Sequence, residues 1–207
     1  MNAKPQTDDH LTLELLDVIG KRNDLSQRHL AIHMGVALGL ANSYLKRCVR
    51  KGFVKITKVP ANRYLYYLTP KGFAEKARLT ASYLSYSFSF YREAGDSCIR
   101  TFDLCRQNNW NRILLCGVSD LAEIALLRGM EMNIEVIGIY DLHAKQRIFL
   151  SKPVWQDLDD PDVPAYDACV LTDITTTRTT LDFLMSHVAP ERILIPDILR
   201  VENRETL

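Results

Sequence analysis

Hydrophobic positions in the first third of the chain follow a helical period twice and then a strand period twice. In LTLELLDVIG (residues 11–20), Leu11, Leu15, Val18 and Ile19 fall on one helical face. DLSQRHLAIHMG follows, with Ser26 placed to cap a short helix, Leu30, Ala31 and Met34 as its apolar stripe, and Gly35 closing it. VALGLANSYLKRCVRK begins another helix, with Ala41, Leu45, Cys48 and Val49 on one side. Gly39, Ser43, Lys46 and Arg50 fall on the opposite side at 100° per residue. GFVKITKV then alternates, PAN interrupts it, and RYLYYLT alternates again, which predicts a β-hairpin.

Two short helices joined at a glycine, followed by a hairpin, predict a winged helix-turn-helix. Its second helix would enter the major groove of double-stranded DNA, and the wing would reach the neighbouring backbone. The candidate DNA contacts are Gln27, Arg28, Gly39, Asn42, Ser43, Lys46, Arg47 and Arg50 on the helices. Lys55, Lys58 and Arg63 are the candidates on the wing. Lysine and arginine suit phosphates, and Asn42 and Ser43 are short polar groups able to meet base edges.

After Thr69-Pro70 the pattern predicts a long helix, in which Leu79, Tyr83, Tyr86 and Phe90 recur at steps of four, three and four. Such an aromatic stripe fits a dimer seam, and equally fits packing against the chain's own second domain. Gly95 is expected to end or kink this helix, with SCIRTFDLCRQNNW as a short amphipathic helix beyond it. Cys98 and Cys105, seven apart, share a face there and read as small buried apolar groups.

From residue 110 strands and helices alternate: RILLCGV, DLAEIALLRGM, IEVIGIYD, a short RIFL, DACVLTD, TTTRTTLDFLMSHV and RILIPDI. Near-continuous Ile, Leu and Val runs predict strands buried on both faces, hence a parallel sheet flanked by helices. The fold class is therefore α/β overall, with an N-terminal winged helix (residues 1–72), connecting helices (73–109) and a small Rossmann-like domain (110–207). In such sheets ligands sit beyond the C-terminal strand ends. The candidate ligand-binding residues are Gly117, Ser119, Asp120, Leu121, Asp141, Thr175, Thr176 and Arg178. Gly117 allows a tight turn, Asp141 stands near the place where an acidic side chain meets ribose hydroxyls, and TDITTTR offers hydroxyls and an arginine at a helix start. Against a dinucleotide, Ser119 replaces the second glycine of G-x-G-x-x-G and Ala122 the third, and Asp120 puts negative charge at the helix start.

Charge separates the two halves. Residues 1–95 carry 15 Lys/Arg against 7 Asp/Glu, a net of +8; residues 96–207 carry 11 against 18, a net of −7. A polyanionic partner is therefore expected for the first half alone. Five dispersed cysteines without a C-x-x-C pair, no apolar N-terminal segment and no membrane-length apolar run predict a cytoplasmic protein without membrane partners.

The run LSQRHLAIHMGVALGLANSYLKRCVRKGFVK, with YLYYLTPKGFAEKARLTASYL after it, resembles the MarR-type regulators associated with exopolysaccharide biosynthesis, over about residues 24–91. The resemblance implies sequence-specific DNA binding, usually as a homodimer, at genes of polysaccharide biosynthesis. Leu40 stands where that family commonly has a basic residue, and Ser43 where an aromatic is common, so base preference does not carry over. GVSDLAEIALLRGMEMNIEVIGIYD with SKPVWQDL resembles nucleotide-binding modules of polysaccharide-related proteins. The order of winged helix then Rossmann-like domain is similar to the redox-sensing Rex repressors, which bind NADH.

The expected protein is a regulator whose second domain senses a nucleotide or sugar-nucleotide-like effector, or serves only in dimerisation. An NAD(H)-responsive repressor and a sugar- or nucleotide-metabolising enzyme with a fused binding module are the alternatives. No nucleophile elbow, zinc-protease motif or phosphate-binding Walker loop occurs, so no catalytic residue or metal ligand is assigned. His29 and His33, four apart, lack an evident third ligand, Cys116 reads as buried, and Asp173 and Asp197 as caps or turn formers.

Overall fold

The computed structural model describes residues 3–60 and 63–201, leaving aside the side chains of residues 3–7 and 63. The chain divides into two compact units, Met1–Phe88 and Ser89–Leu207. The first contains α1 (Ala3–Lys21), α2 (Gln27–His33), α3 (Leu38–Arg50), β1 (Val54–Val59), β2 (Arg63–Leu68) and the opening turns of α4 (Pro70–Gln107). Ser26 caps α2, its Oγ accepting from the His29 amide at 3.2 Å. Gly35 turns the chain from α2 to α3 at φ +60°, which a residue with a Cβ adopts only at a cost. One core gathers Leu15, Leu16 and Ile19 of α1, Leu30 and Ala31 of α2, Ala41, Leu45 and Cys48 of α3, and Tyr66 of β2. β1 and β2 pair antiparallel from Val54–Leu68 to Val59–Arg63. The wing tip at residues 61 and 62 and the side chain of Arg63 lie outside the described residues.

The second unit contains the remainder of α4, then β3 (Arg112–Cys116), α5 (Asp120–Glu131), β4 (Glu135–Tyr140), β5 (Ile148–Phe149), β6 (Lys152–Trp155), β7 (Ala168–Leu171), α6 (Thr177–His187) and β8 (Ile193–Leu194). The sheet order is β5-β6-β4-β3-β7-β8, parallel throughout except for the antiparallel pair β5–β6 at one edge. Apart from β5, this is the order of a nucleotide-binding sheet, with the strands added to one side of β3 up to β6 and to its other side from β7 on. Alternation along β3 sends Ile113 and Leu115 to one face, under Phe102 of α4 and Ala125 of α5. Leu114 and Cys116 go to the other face, under Leu181 and Leu184 of α6.

Several expectations need correction. The sheet is mixed at its edge rather than wholly parallel. β6, KPVW, is a strand beyond those the pattern predicts. RILIPDI makes only the two residues of β8, since Pro196 and a 3-10 turn at Asp197–Leu199 follow at once. Helix α4 starts at Pro70, where the Thr69 hydroxyl accepts from the Gly72 amide at 3.0 Å. It then runs 38 residues without ending at Gly95, and no separate helix follows. Gly95 has a packing reason instead: a Cβ there would stand 2.9 Å from the guanidinium of Arg128 on α5.

All five cysteines are buried. Burial pushes the thiols of Cys98 and Cys105 up to about 12, so both are protonated members of the core. Asp197 accepts from the hydroxyl of Ser97 and, bidentately, from Arg100 at 2.8 and 2.9 Å, tying the last turn to α4. Among the described residues no helix is long and apolar enough to cross a membrane.

Candidate nucleic-acid interface

Helix α3 buries Ala41, Tyr44, Leu45 and Cys48, and this fixes which side chains remain outside. Gly39, Ser43, Lys46 and Arg50 are exposed on the opposite side, as their spacing predicts. Among the described residues Ser43, Lys46 and Arg50 have no hydrogen-bond or ion-pair partner in the protein. Asn42 is half-buried, and its Oδ1 is shielded from solvent without a hydrogen-bond donor. A cleft of ≈ 430 Å³ runs between α3 and the wing, lined by Asn42, Lys46 and Arg50 on one side and Ile56, Tyr64 and Tyr66 on the other. An adjoining cleft of ≈ 460 Å³ brings in Arg28 and Leu38 and shares Gln27, Tyr64 and Tyr66. Gln27 and Arg28 are both exposed there.

Two of the expected contacts lie elsewhere. Arg47 is engaged within its own unit. Its Nη1 donates to Asp8 of α1 at 2.8 Å and its Nη2 to the Thr12 hydroxyl at 3.0 Å, while its guanidinium lies 4.3 Å from the centre of the Tyr44 ring. The Tyr44 hydroxyl donates to the same Asp8 carboxylate. The hydrogen bonds from Tyr44 and then Arg47 hold the Asp8 carboxyl below its ordinary range. Arg47 therefore joins α3 to α1. Lys55 is exposed, but it pairs across the hairpin with Tyr67. Strand alternation puts it on the face opposite to Ile56 and Lys58, away from the α3 cleft. Lys58, opposite Tyr64, is on the α3 side. His29 and His33 are exposed, and no cluster of three metal-ligating side chains occurs among the described residues.

The C-terminal strand ends of the sheet are built differently. Gly117 follows β3 at φ +108°, and a Cβ there would come within 2.5 Å of the Asp173 backbone, so only glycine fits between the two loops. The Ser119 hydroxyl caps α5, accepting from the Ala122 amide at 3.2 Å, and donates to the Thr172 carbonyl at 2.5 Å. The buried Thr172 hydroxyl donates to the Gly117 carbonyl at 2.6 Å. Asp141 does not stand free for a ribose: its carboxylate accepts from the Val118 and His143 amides, each at 2.8 Å. Leu121 is buried in the core rather than lining a site, and Asp120 is an exposed acid in the first turn of α5, where it complements the helix dipole.

Asp173, expected as a cap or turn former, is the centre of the second loop. One carboxylate oxygen accepts from the Thr175 and Thr176 amides at 2.8 Å, and the other from the Thr176 and Thr180 hydroxyls at 2.6 Å. Burial pushes this carboxyl up, but the hydrogen bonds from Thr176, Thr180 and Thr175 outweigh it and leave it below the ordinary value. The donors that Thr175 and Thr176 were expected to offer a phosphate thus already surround an anion. Arg178 points along α6, paired with Asp182 at 3.2 Å.

Residues 8–55 match the family model described as winged helix-turn-helix DNA-binding, and the N-terminal unit has that fold. No curated protein matches the chain. Among solved structures, the chain is similar to Streptococcus pneumoniae FabT in complex with DNA, at 22% identity over 59% of this chain and 69% of that one, with a TM-score of 0.32. It is also similar to human N-acetylserotonin methyltransferase in complex with SAM, at 12% identity over 80% of this chain and 66% of that one, with the same TM-score. At that structural similarity neither relative bears on function.

Proposed function

We propose that the chain is a transcription regulator that binds specific sequences of double-stranded DNA through α3 and the wing. The observation that carries this is the exposed row of Ser43, Lys46 and Arg50 on the second helix of a helix-turn-helix, with no partner among the described residues. Each cation that meets a phosphate releases a counterion, so affinity falls steeply as salt rises. Fluorescence anisotropy with a selected duplex, between 50 and 200 mM salt (a range set by general experience with such complexes), tests the reading. Salt-independent binding, or none, removes it.

The regulator is a homodimer in this proposal. A groove of ≈ 170 Å³ between α1 and α4 is lined by Leu13, Leu79, Tyr83 and Tyr86, and Tyr83, Tyr86 and Phe88 are all exposed beside it. Large apolar patches on a soluble protein mark contact surfaces. Sedimentation of wild type and of a Tyr83→Glu, Tyr86→Glu variant tests it: the first is to run as a dimer and the second as a monomer.

The target class, genes of polysaccharide biosynthesis, rests on the resemblance of residues 24–91. The sheet unit is proposed as the effector domain. Its ligand would be of nucleotide or sugar-nucleotide type, with any phosphate away from the start of α6, where Asp173 opposes it. A thermal-shift panel of NADH, NAD and uridine-diphosphate sugars tests this, and no shift at millimolar ligand removes it.

A further inference from the structure

The first turn of α3 reads Leu38-Gly39-Leu40, and both leucines face solvent, at 43% and 44% exposure. Gly39 has no internal reason to be glycine. It lies in the helix, its φ is not positive, and a Cβ there would meet nothing within 4 Å. A helical glycine without such a reason weakens the helix relative to alanine. Leu40 is three residues from Ser43, so the two share a stripe of α3, and Lys46 and Arg50 continue the exposed face. An apolar tip beside cations does not resemble a surface kept for water. It matches a major groove lined by thymine, where negative phosphates flank the C5-methyl groups, the one apolar feature the base edges offer.

We infer that this turn reads thymine methyl groups, with Leu40 as the principal specificity-determining residue and Gly39 allowing the helix backbone close to the groove floor. The inference rests on the DNA-binding reading and names the sequence class that reading takes: sites with thymine under the start of α3. Asn42 extends it. Turning its amide toward the groove breaks no hydrogen bond of Oδ1, which has none, and adenine is the base that an asparagine amide pairs with at two points.

The test starts from a randomised duplex library selected against the full chain. The enriched duplex is resynthesised with deoxyuridine replacing thymidine one position at a time, which removes only the methyl group. Wild type is to bind about fourfold more weakly at one or two positions, the effect of returning one buried methyl to water. Leu40→Ala is to bind the thymine duplex about as weakly, and to bind both forms alike at those positions. Gly39→Gln is to keep the wild-type melting temperature or exceed it and still lose affinity. Wild-type indifference to deoxyuridine at every position overturns the inference, as does discrimination that survives in Leu40→Ala, or undiminished affinity in Gly39→Gln. A change in the sedimentation mass of free Leu40→Ala also overturns it, assigning the leucine to a contact between copies. If no duplex is enriched and random duplex binds without salt dependence, the DNA-binding reading itself fails. Enrichment with methyl indifference sinks only the present inference.

Discussion

The outer face of α3 and the C-terminal edge of the sheet both carry hydroxyls, amides and charge, and both read as binding sites from their residues. Their polar groups have opposite fates. On α3, Ser43, Lys46 and Arg50 have no partner among the described residues, and Asn42 keeps an oxygen without a donor. At the sheet the polar groups are engaged with the chain itself: Ser119 and Thr172 donate to backbone carbonyls, Asp141 accepts from backbone amides, and Thr175, Thr176 and Thr180 donate to the Asp173 carboxylate. A site for a polar ligand needs donors and acceptors that the fold has not already satisfied, because exchanging one good hydrogen bond for another gains little. Residue type alone does not distinguish the two situations; the pairing does.

The largest expected effect is at Gly117. Gly117→Ala forces a Cβ against the Asp173 backbone at a φ of +108°, and is expected to destabilise the sheet unit by about 3 kcal/mol, the sum of backbone strain and overpacking. Chemical denaturation measures it, and a loss under half that would mean the two loops can separate without cost. Next comes the α3 face. Lys46→Glu with Arg50→Glu is expected to weaken binding of a selected duplex by about a hundredfold and flatten its salt dependence. Stability is to change by under about 0.5 kcal/mol, as is usual for exposed sites without partners. An unchanged affinity would erase the contrast between the regions.

Asp173→Asn is expected to cost about 1 kcal/mol, since its hydrogen bonds are to a charged group but largely open to solvent. Its pH dependence sharpens the point. The carboxyl is held below its ordinary 3.8 in the folded protein, so its contribution is present above that value and disappears as pH falls through the lower folded value. The stability gap between wild type and Asp173→Asn should be flat at neutral pH and close only below 3.8. A gap that closes near neutral pH would show that the carboxylate is not what holds the loop. The smallest effect is at Arg47. Arg47→Ala is expected to lower the melting temperature modestly while leaving the slope of affinity against salt as in wild type, since this guanidinium serves Asp8 and Thr12. A slope reduced by about one would return Arg47 to the phosphate contacts.

Much of the fold was legible because it follows from periodicity. The 3.6-residue stripe of Ala41, Leu45 and Cys48 named the buried side of α3 and thereby its free side. The paired alternations of β1 and β2 named the wing, and the continuous apolar runs of β3, β4 and β7 named a buried sheet. The errors lie where a local signal had a distant cause. Gly95 reads as a helix end, yet its partner is Arg128, 33 positions along the chain. KPVW carries a proline, which disfavours a strand, yet β4 pairs with it and sets Val154 beside Ile139 and Trp155 beside Tyr140.

The sequence by itself determined the order of elements, the winged helix, and which residues of α3 face outward, because these depend on spacings of one to four positions. It also marked Gly117 as a turn. Only the tertiary structure decided that Arg47 belongs to Asp8, 39 residues away, and that Asp141 holds the Val118 amide, 23 residues before it. Hydrogen bonds and ion pairs form between groups close in space whatever their separation along the chain. Whether a charged or polar side chain is free to bind something else therefore depends on a partner that no local pattern contains.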